Sequence, residues 1–197
     1  GFSAKLARAL LILNSETSFE EATVVFDALL AVMDSLDRGL AAHSRRVGEL
    51  SRMVAEEMGL SAGQVDAAFH AGKYHDIGKL AAGPKLLRKP REEITEEDWA
   101  IIRRHPILGA EMLSTVKSLE EVATAVRHHH ERRDGTGYPS GLKGEDIPVL
   151  ARVVAVCEAY DAIVNSSQPS RRRSPEEAIE ELKSCGAHDL EAVTALE

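Results

Sequence analysis

Histidines and acids recur at inward positions of an otherwise apolar helical pattern. His43 falls in the stripe Leu36, Leu40, His43, Val47, Leu50, Val54, spaced alternately four and three residues apart. Val65, Ala68, Gly72 and His75 repeat the pattern, with Phe69, Gly72 and Asp76 on the neighbouring line. Ile101, Ile102, His105, Gly109 and Met112 give a third case if the chain stays helical across Pro106. Val122, Val126, His129 and His130 give a fourth, and Ala151, Val154, Ala155, Glu158 and Ala162 put a carboxylate on a fifth inner face. A lone inward histidine is usually a satisfied core residue. Many together are costly to bury unless something pairs them, and a metal centre does so through neutral imidazole and carboxylate ligands. His43, His75, Asp76, His105, His129, His130 and Glu158 exceed one tetrahedral shell. They suit two metals sharing a bridging carboxylate, roughly 3.5–4 Å apart. No thiolate joins the set, so the mixed nitrogen and oxygen donors suit divalent iron, manganese, zinc or nickel without choosing among them.

The elements that must position these groups read as helices. The chain has 197 residues, 44% apolar and 28% charged, which fits one globular domain with a small appendage and excludes collagen-like, low-complexity and wholly disordered chains. No run of about 18 apolar residues occurs, so no membrane span and no signal peptide are expected. Cys157 and Cys185 form no disulfide framework and read as buried fillers, so a reducing cytoplasm is the expected setting. The 24 Lys+Arg against 32 Asp+Glu give a net charge of −8, the wrong sign for a nucleic-acid polymer binder. Small anionic ligands stay open, because arginines cluster at 45–46, 103–104, 132–133 and 171–173, although such clusters are ordinarily solvated faces. Helical patterns run over 5–13 and over 19–58 with a break near Ser35–Gly39, then over 62–76, 95–104, 106–114, 119–131 and 148–165, with a last helix opened by Ser174-Pro175. Residues 80–94 read as a loop with at most one short turn, and 134–141 as a loop rich in turn formers. No alternating strand pattern occurs, so the expected fold class is all-α.

The ordered motifs carry a family resemblance. His75-Asp76-Ile77-Gly78-Lys79, His105-Pro106, His129-His130-Glu131 and Asp134-Gly135-Thr136-Gly137-Tyr138-Pro139 together resemble the HD-GYP branch of the HD superfamily of metal-dependent phosphohydrolases. Gly141-Leu142, Ile147-Pro148, Ala151-Arg152 and Tyr160-Asp161-Ala162 extend the likeness across about 37–190. The resemblance implies a helical bundle with a GYP loop extension over 36–197, preceded by a helical segment over 1–35 that is a linker or part of the bundle. It further implies a bacterial signalling enzyme hydrolysing cyclic di-GMP to pGpG, or on to GMP, by in-line attack of a hydroxide bridging two metals. On this reading His43, His75, Asp76 and Glu158 hold one metal, Asp76 bridges, and His105, His129 and His130 hold the second. Asp76 and Lys79 would be catalytic. Lys79, Tyr138, Arg171 and Arg172 would bind substrate.

Departures from the pattern shape the expectation. Glu158 stands where the family has Asp, and its extra methylene moves the carboxylate outward by about 1.5 Å unless the helix adjusts. Gly39 offers no ligand where three-metal members have Glu, which argues for two metals. Gln168-Pro169-Ser170-Arg171 replaces an Arg-Pro-Tyr-Arg segment, leaving Arg171 to Arg173 as substitutes. These changes motivate an alternative, a weak or inactive module serving as a cyclic di-GMP receptor or protein scaffold. Hydrolysis of another phosphate ester is a second. Cyclase-type or other signalling proteins at the GYP loop, and a homodimer, are the protein partners the resemblance leaves open. Gly1 in place of Met suggests a missing sensory or receiver domain.

Overall fold

Four helix starts follow directly from local sequence. Ser18, Ser61, Thr95 and Ser174 each cap a helix through the side chain, and the third helical residue reaches back to the cap amide each time. The structure, a computed structural model, describes residues 10–166 and 168–197. The expected helix over 5–13 lies mostly outside them. Among the described residues the chain is helical with no strand, as the hydrophobic periodicity predicts.

Helix α1 (Phe19–Leu36) buries Phe26, Leu29, Leu30 and Met33 against the common core. The chain turns at Gly39 into α2 (Leu40–Glu57), which lies against α3 (Ala62–Tyr74). Their backbones approach so closely that a Cβ at Gly72 would sit 2.8 Å from the Val47 carbonyl oxygen. A 3-10 stretch over Ile77–Ala82, a short α4 (Pro84–Leu87) and another 3-10 turn follow. Residues 80–94 therefore hold more helix than their glycine and prolines predict. Next come α5 (Glu96–Ile102), α6 (His105–Leu113) and α7 (Glu120–His128). Pro106 sits in the first turn of α6, where its missing N–H costs nothing. The chain is not helical through Arg103-Arg104, so the single helix needed for an Ile101–Met112 stripe does not form, and Ile101 is exposed. His105 is buried nonetheless, as the first residue of a new helix.

The central element is α8 (Val149–Val164), with Val153, Val154, Val156 and Cys157 fully buried. It packs on α2, α3, α7 and α9 (Pro175–Ser184). A last short helix, α10 (Leu190–Thr194), is capped by the buried Asp189, which also accepts from Arg133 (2.9 Å) and Arg152 (2.5 Å). Cys185 is exposed rather than a buried filler, because it caps the end of α9.

Gly78, just after the His75-Asp76 pair, is the tightest backbone approach that bears on the site. A Cβ there would collide with the His105 carbonyl and lie 2.5 Å from the Gly109 amide nitrogen. Gly78→Ala should cost about 2 kcal/mol or more and lower Tm by ~4–8 °C in calorimetry. Gly63→Ala, in open space within α3, should hold or raise Tm.

Candidate metal centre

Three helix ends each turn a histidine inward by the same device. His75 follows α3 and places Nδ1 2.7 Å from the Gly72 carbonyl oxygen. His105 follows α5 with Nδ1 2.8 Å from the Ile102 oxygen, and His129 follows α7 with Nδ1 2.6 Å from the Val126 oxygen. Each carbonyl is one that a helix C-terminus leaves unpaired. A carbonyl only accepts, so each Nδ1 carries the proton. In the neutral ring the Nε2 lone pair then faces the interior. His43 is fixed differently, with Nδ1 2.6 Å from Asp161. Asp161 is buried and also accepts from Arg46 Nε (2.6 Å), Arg46 Nη2 (2.9 Å) and Asn165 Nδ2 (2.9 Å).

These lone pairs converge. His105 Nε2 lies 3.3 Å from His129 Nε2, His105 Nε2 lies 3.3 Å from Asp76 Oδ1, and His75 Nε2 lies 3.4 Å from Asp76 Oδ2. Ligand atoms of His105, His129 and His130 fall within 4.8 Å of one another, and so do those of His43, His75 and Glu158. Asp76 touches a histidine of each group. Glu158 reaches its group despite the added methylene, and its Oε2 is 3.8 Å from His130 Nδ1. All seven ligating residues expected from sequence are therefore brought together. The buried Nε2 of His75 and Oδ1 of Asp76 have no hydrogen-bond partner. Facing lone pairs and orphaned buried acceptors fit divalent cations and little else.

Protonation follows burial and the Asp76 charge. Burial lowers His105 to about 4, against the pull of Asp76. Burial and neighbouring imidazoles push His129 well below its ordinary value, and burial lowers His130. That trio is neutral and able to ligate at pH 7. Burial opposes a proton on His75 too, but the adjoining carboxylate of Asp76 lifts its pKa to about 9. Asp76 itself is held well below the usual carboxylate range, since Lys79 and His75 outweigh its burial. Lys79 Nζ donates to Asp76 Oδ2 at 2.6 Å. Thus, with no cation bound, a proton at His75 Nε2 and the Lys79 ammonium balance the central anion, and a cation ligated there would displace that proton.

A cavity of about 820 Å³ opens on His129, His130 and Glu158. Tyr138 borders it, stacked on His130 with centroids 4.8 Å apart. Burial raises the pKa of the Tyr138 hydroxyl, which stays protonated as a donor. The loop carrying Tyr138 is tied down by Glu131, a buried carboxylate that accepts from the amides of Ser140 (2.7 Å) and Leu142 (3.0 Å). At Gly137 a Cβ would lie 2.5 Å from the Glu131 Cα, so only glycine lets the loop close on this strut. Lys79 lines a second cavity of about 550 Å³, on the side of Asp37 and Trp99. Arg171 and Arg172 are not brought to the site. They sit on an exposed turn, Arg172 donating to the Ser166 carbonyl, and neither lines these cavities. His128 turns away from its two neighbours, with Nδ1 3.5 Å from Glu131.

Sequence reasoning gave no role to Asp161, Arg46, Glu131 or Arg103-Arg104. The first two carried a signal, since each lies three residues after a ligand on a helix, Asp161 after Glu158 and Arg46 after His43. The arginine pair stood out only as one of four basic clusters open to small anions, and Glu131 carried no signal, because their placement depends on loop closure and on which cavity a helix end meets.

Residues 29–190 match the HD domain family. The chain belongs to the HD domain family. The HD-GYP likeness of its motifs stands with that result, and the HD domain is a metal-dependent hydrolase fold. The chain is similar to a cyclic di-GMP phosphodiesterase of Thermotoga maritima, 38% identical over 184 residues, covering 88% of this chain and 50% of that protein. It is also similar to the cyclic di-GMP phosphodiesterase response regulator RpfG of Xanthomonas campestris, 36% identical over 161 residues, covering 81% and 42%. The chain thus spans half or less of these relatives' lengths. Its fold is similar to that of Bd1817, an HDG"Y"P protein from Bdellovibrio bacteriovorus, with TM-score 0.66, 24% identity, and coverage of 91% and 63%. No helix among the described residues is long and apolar enough to cross a membrane.

Asp161 aims His43 without touching the other ligands. Asp161→Asn removes the anion that fixes the His43 proton on Nδ1, and should weaken manganese binding roughly 10- to 100-fold by calorimetry. Asp189→Asn, on the far end of α8's contacts, should leave that affinity unchanged.

Proposed function

We propose that this chain is a cyclic dinucleotide phosphodiesterase that uses two divalent transition metals to open cyclic di-GMP to pGpG, with GMP the product of a second cleavage. The observation that carries the reading is the pair of three-residue ligand groups joined by one buried carboxylate, Asp76. His43, His75 and Glu158 would hold one metal, His105, His129 and His130 the other, and Asp76 would bridge. Bound metals would supply Lewis acidity toward an anionic phosphodiester and a nucleophile usable at neutral pH.

This chain's own residues do the rest. Lys79 keeps Asp76 ionised and holds a positive charge beside the reacting phosphate, for which its place 2.6 Å from Asp76 speaks. Tyr138 offers a hydroxyl donor and an aromatic wall at the cavity that meets His130. Asp161 and the three helix-end carbonyls orient four of the five imidazoles, those of His43, His75, His105 and His129, so little reorganisation is needed at the moment of reaction. The catalytic unit is 36–197, with α1 covering its core, and the expected compartment is the cytoplasm. The names of the relatives support this substrate class, and Glu158 reaching its group favours an active centre over a bare receptor.

The test is metal content and turnover of cyclic di-GMP on the full chain with manganese or iron(II). Two metals per chain and pGpG formation are expected. His75→Ala should lose metal and turnover, whereas His128→Ala should keep the metal, because that ring lies beside Glu131. Glu158→Gln should lower occupancy and Glu158→Asp should retain it. Two bound metals with no turnover of cyclic di-GMP would overturn the enzyme reading in favour of a receptor.

A further inference from the structure

The cavity beside the ligand groups is lined by two arginines that pair with no acid among the described residues. Arg103 and Arg104, just past the end of α5, line this cavity together with Glu158 and Tyr138. Both are exposed, and neither guanidinium has an ion pair or side-chain hydrogen bond among the described residues. Other arginines nearby are committed. Arg46 is held by Asp161, Arg132 by Asp134 and Thr136, and Arg133 and Arg152 by Glu145 and Asp189. The acids that line the cavity do not neutralise the pair. Glu158 belongs to a ligand group, and Glu131 is occupied by two loop amides. Two uncompensated cations therefore stand at this mouth in a protein of net charge −8.

A cyclic dinucleotide is a ring with two phosphodiesters. When one meets the metal ligands, the other is carried out into the cavity with a full negative charge. We propose that Arg103 and Arg104 receive this second, non-reacting phosphodiester and so select two-phosphate rings over single-phosphate ligands. The inference rests on the phosphodiesterase reading for its substrate class. It reassigns to this pair the phosphate contact expected of Arg171 and Arg172. Guanidinium suits the task, since its planar fork matches phosphate oxygens. Contacts from exposed side chains are screened, so the effect must depend on salt.

Calorimetry on the manganese-loaded full chain tests this with slowly hydrolysed phosphorothioate analogues of cyclic di-GMP and cyclic di-AMP, and with GMP. Arg103→Ala/Arg104→Ala should weaken both cyclic dinucleotides by about tenfold or more and GMP by less than about threefold, with a shallower salt dependence for the rings only. Metal content should match wild type, which shows the centre is intact. Equal weakening of GMP, no weakening at all, or weakening of the guanine ring alone would each overturn the inference. The last would mean that the pair reads the base edge instead. If wild type binds both rings but hydrolyses neither parent dinucleotide, the phosphodiesterase reading fails while the phosphate contact stands. If wild type binds neither ring, both fall.

Discussion

Lone pairs aimed at one another are the constraint on which this structure turns. Three histidines give their Nδ1 protons to helix-end carbonyls, which leaves their Nε2 atoms converging on Asp76 and on each other. Without a positive charge between them, such groups repel in an environment too dry to screen them. A proton on His75 and the Lys79 ammonium supply part of that charge in the chain alone. Divalent cations would displace the His75 proton, supply the rest of the charge, and satisfy the buried Nε2 of His75 and Oδ1 of Asp76.

Much of the fold serves to hold this arrangement against its own repulsion. Close passage of the α2 and α3 backbones at Gly72 fixes where α3 ends, and so where His75 begins. Gly78 lets the His75-Asp76 turn seat directly on the start of α6, which brings His105 to the opposite side of Asp76. Asp161 ties α8 to α2 through His43 and Arg46, so the helix that carries Glu158 also orients the partner of Glu158. Outside the ligand groups, Glu131 pins the loop that leans Tyr138 on His130. The two ligand groups are braced by buried hydrogen bonds, and a cavity opens beside them.

The gathering of these histidines and acids was legible because burial of histidines at helical spacing is rare without a reason, and the motif order suggested the two groups into which they fall. Helix starts were legible where Ser or Thr stood three residues before an acid or amide. The inward face of His105 was read through the wrong geometry. The stripe that turned His105 inward required a continuous helix across Pro106, whereas the helix boundary read from Thr95 and Pro106 is the one that forms: a break at Arg103-Arg104 and a fresh helix bury the ring. The same break sends both arginines to the cavity, which periodicity cannot reveal. Arg171 and Arg172 looked suited to phosphate by type and by the segment they follow. The solvated face that such clusters ordinarily form is the reading that holds, because the turn keeps both out in solvent.

The most direct measurement is an anomalous-scattering map from manganese-loaded crystals of the chain. The account predicts two peaks flanking Asp76, one within roughly 2.0–2.2 Å of Nε2 of His105 and His129 and the other at the same range from Nε2 of His75. Absence of density between His105 and His129, or ligation of those rings through Nδ1 with the helix-end carbonyls released, would contradict it.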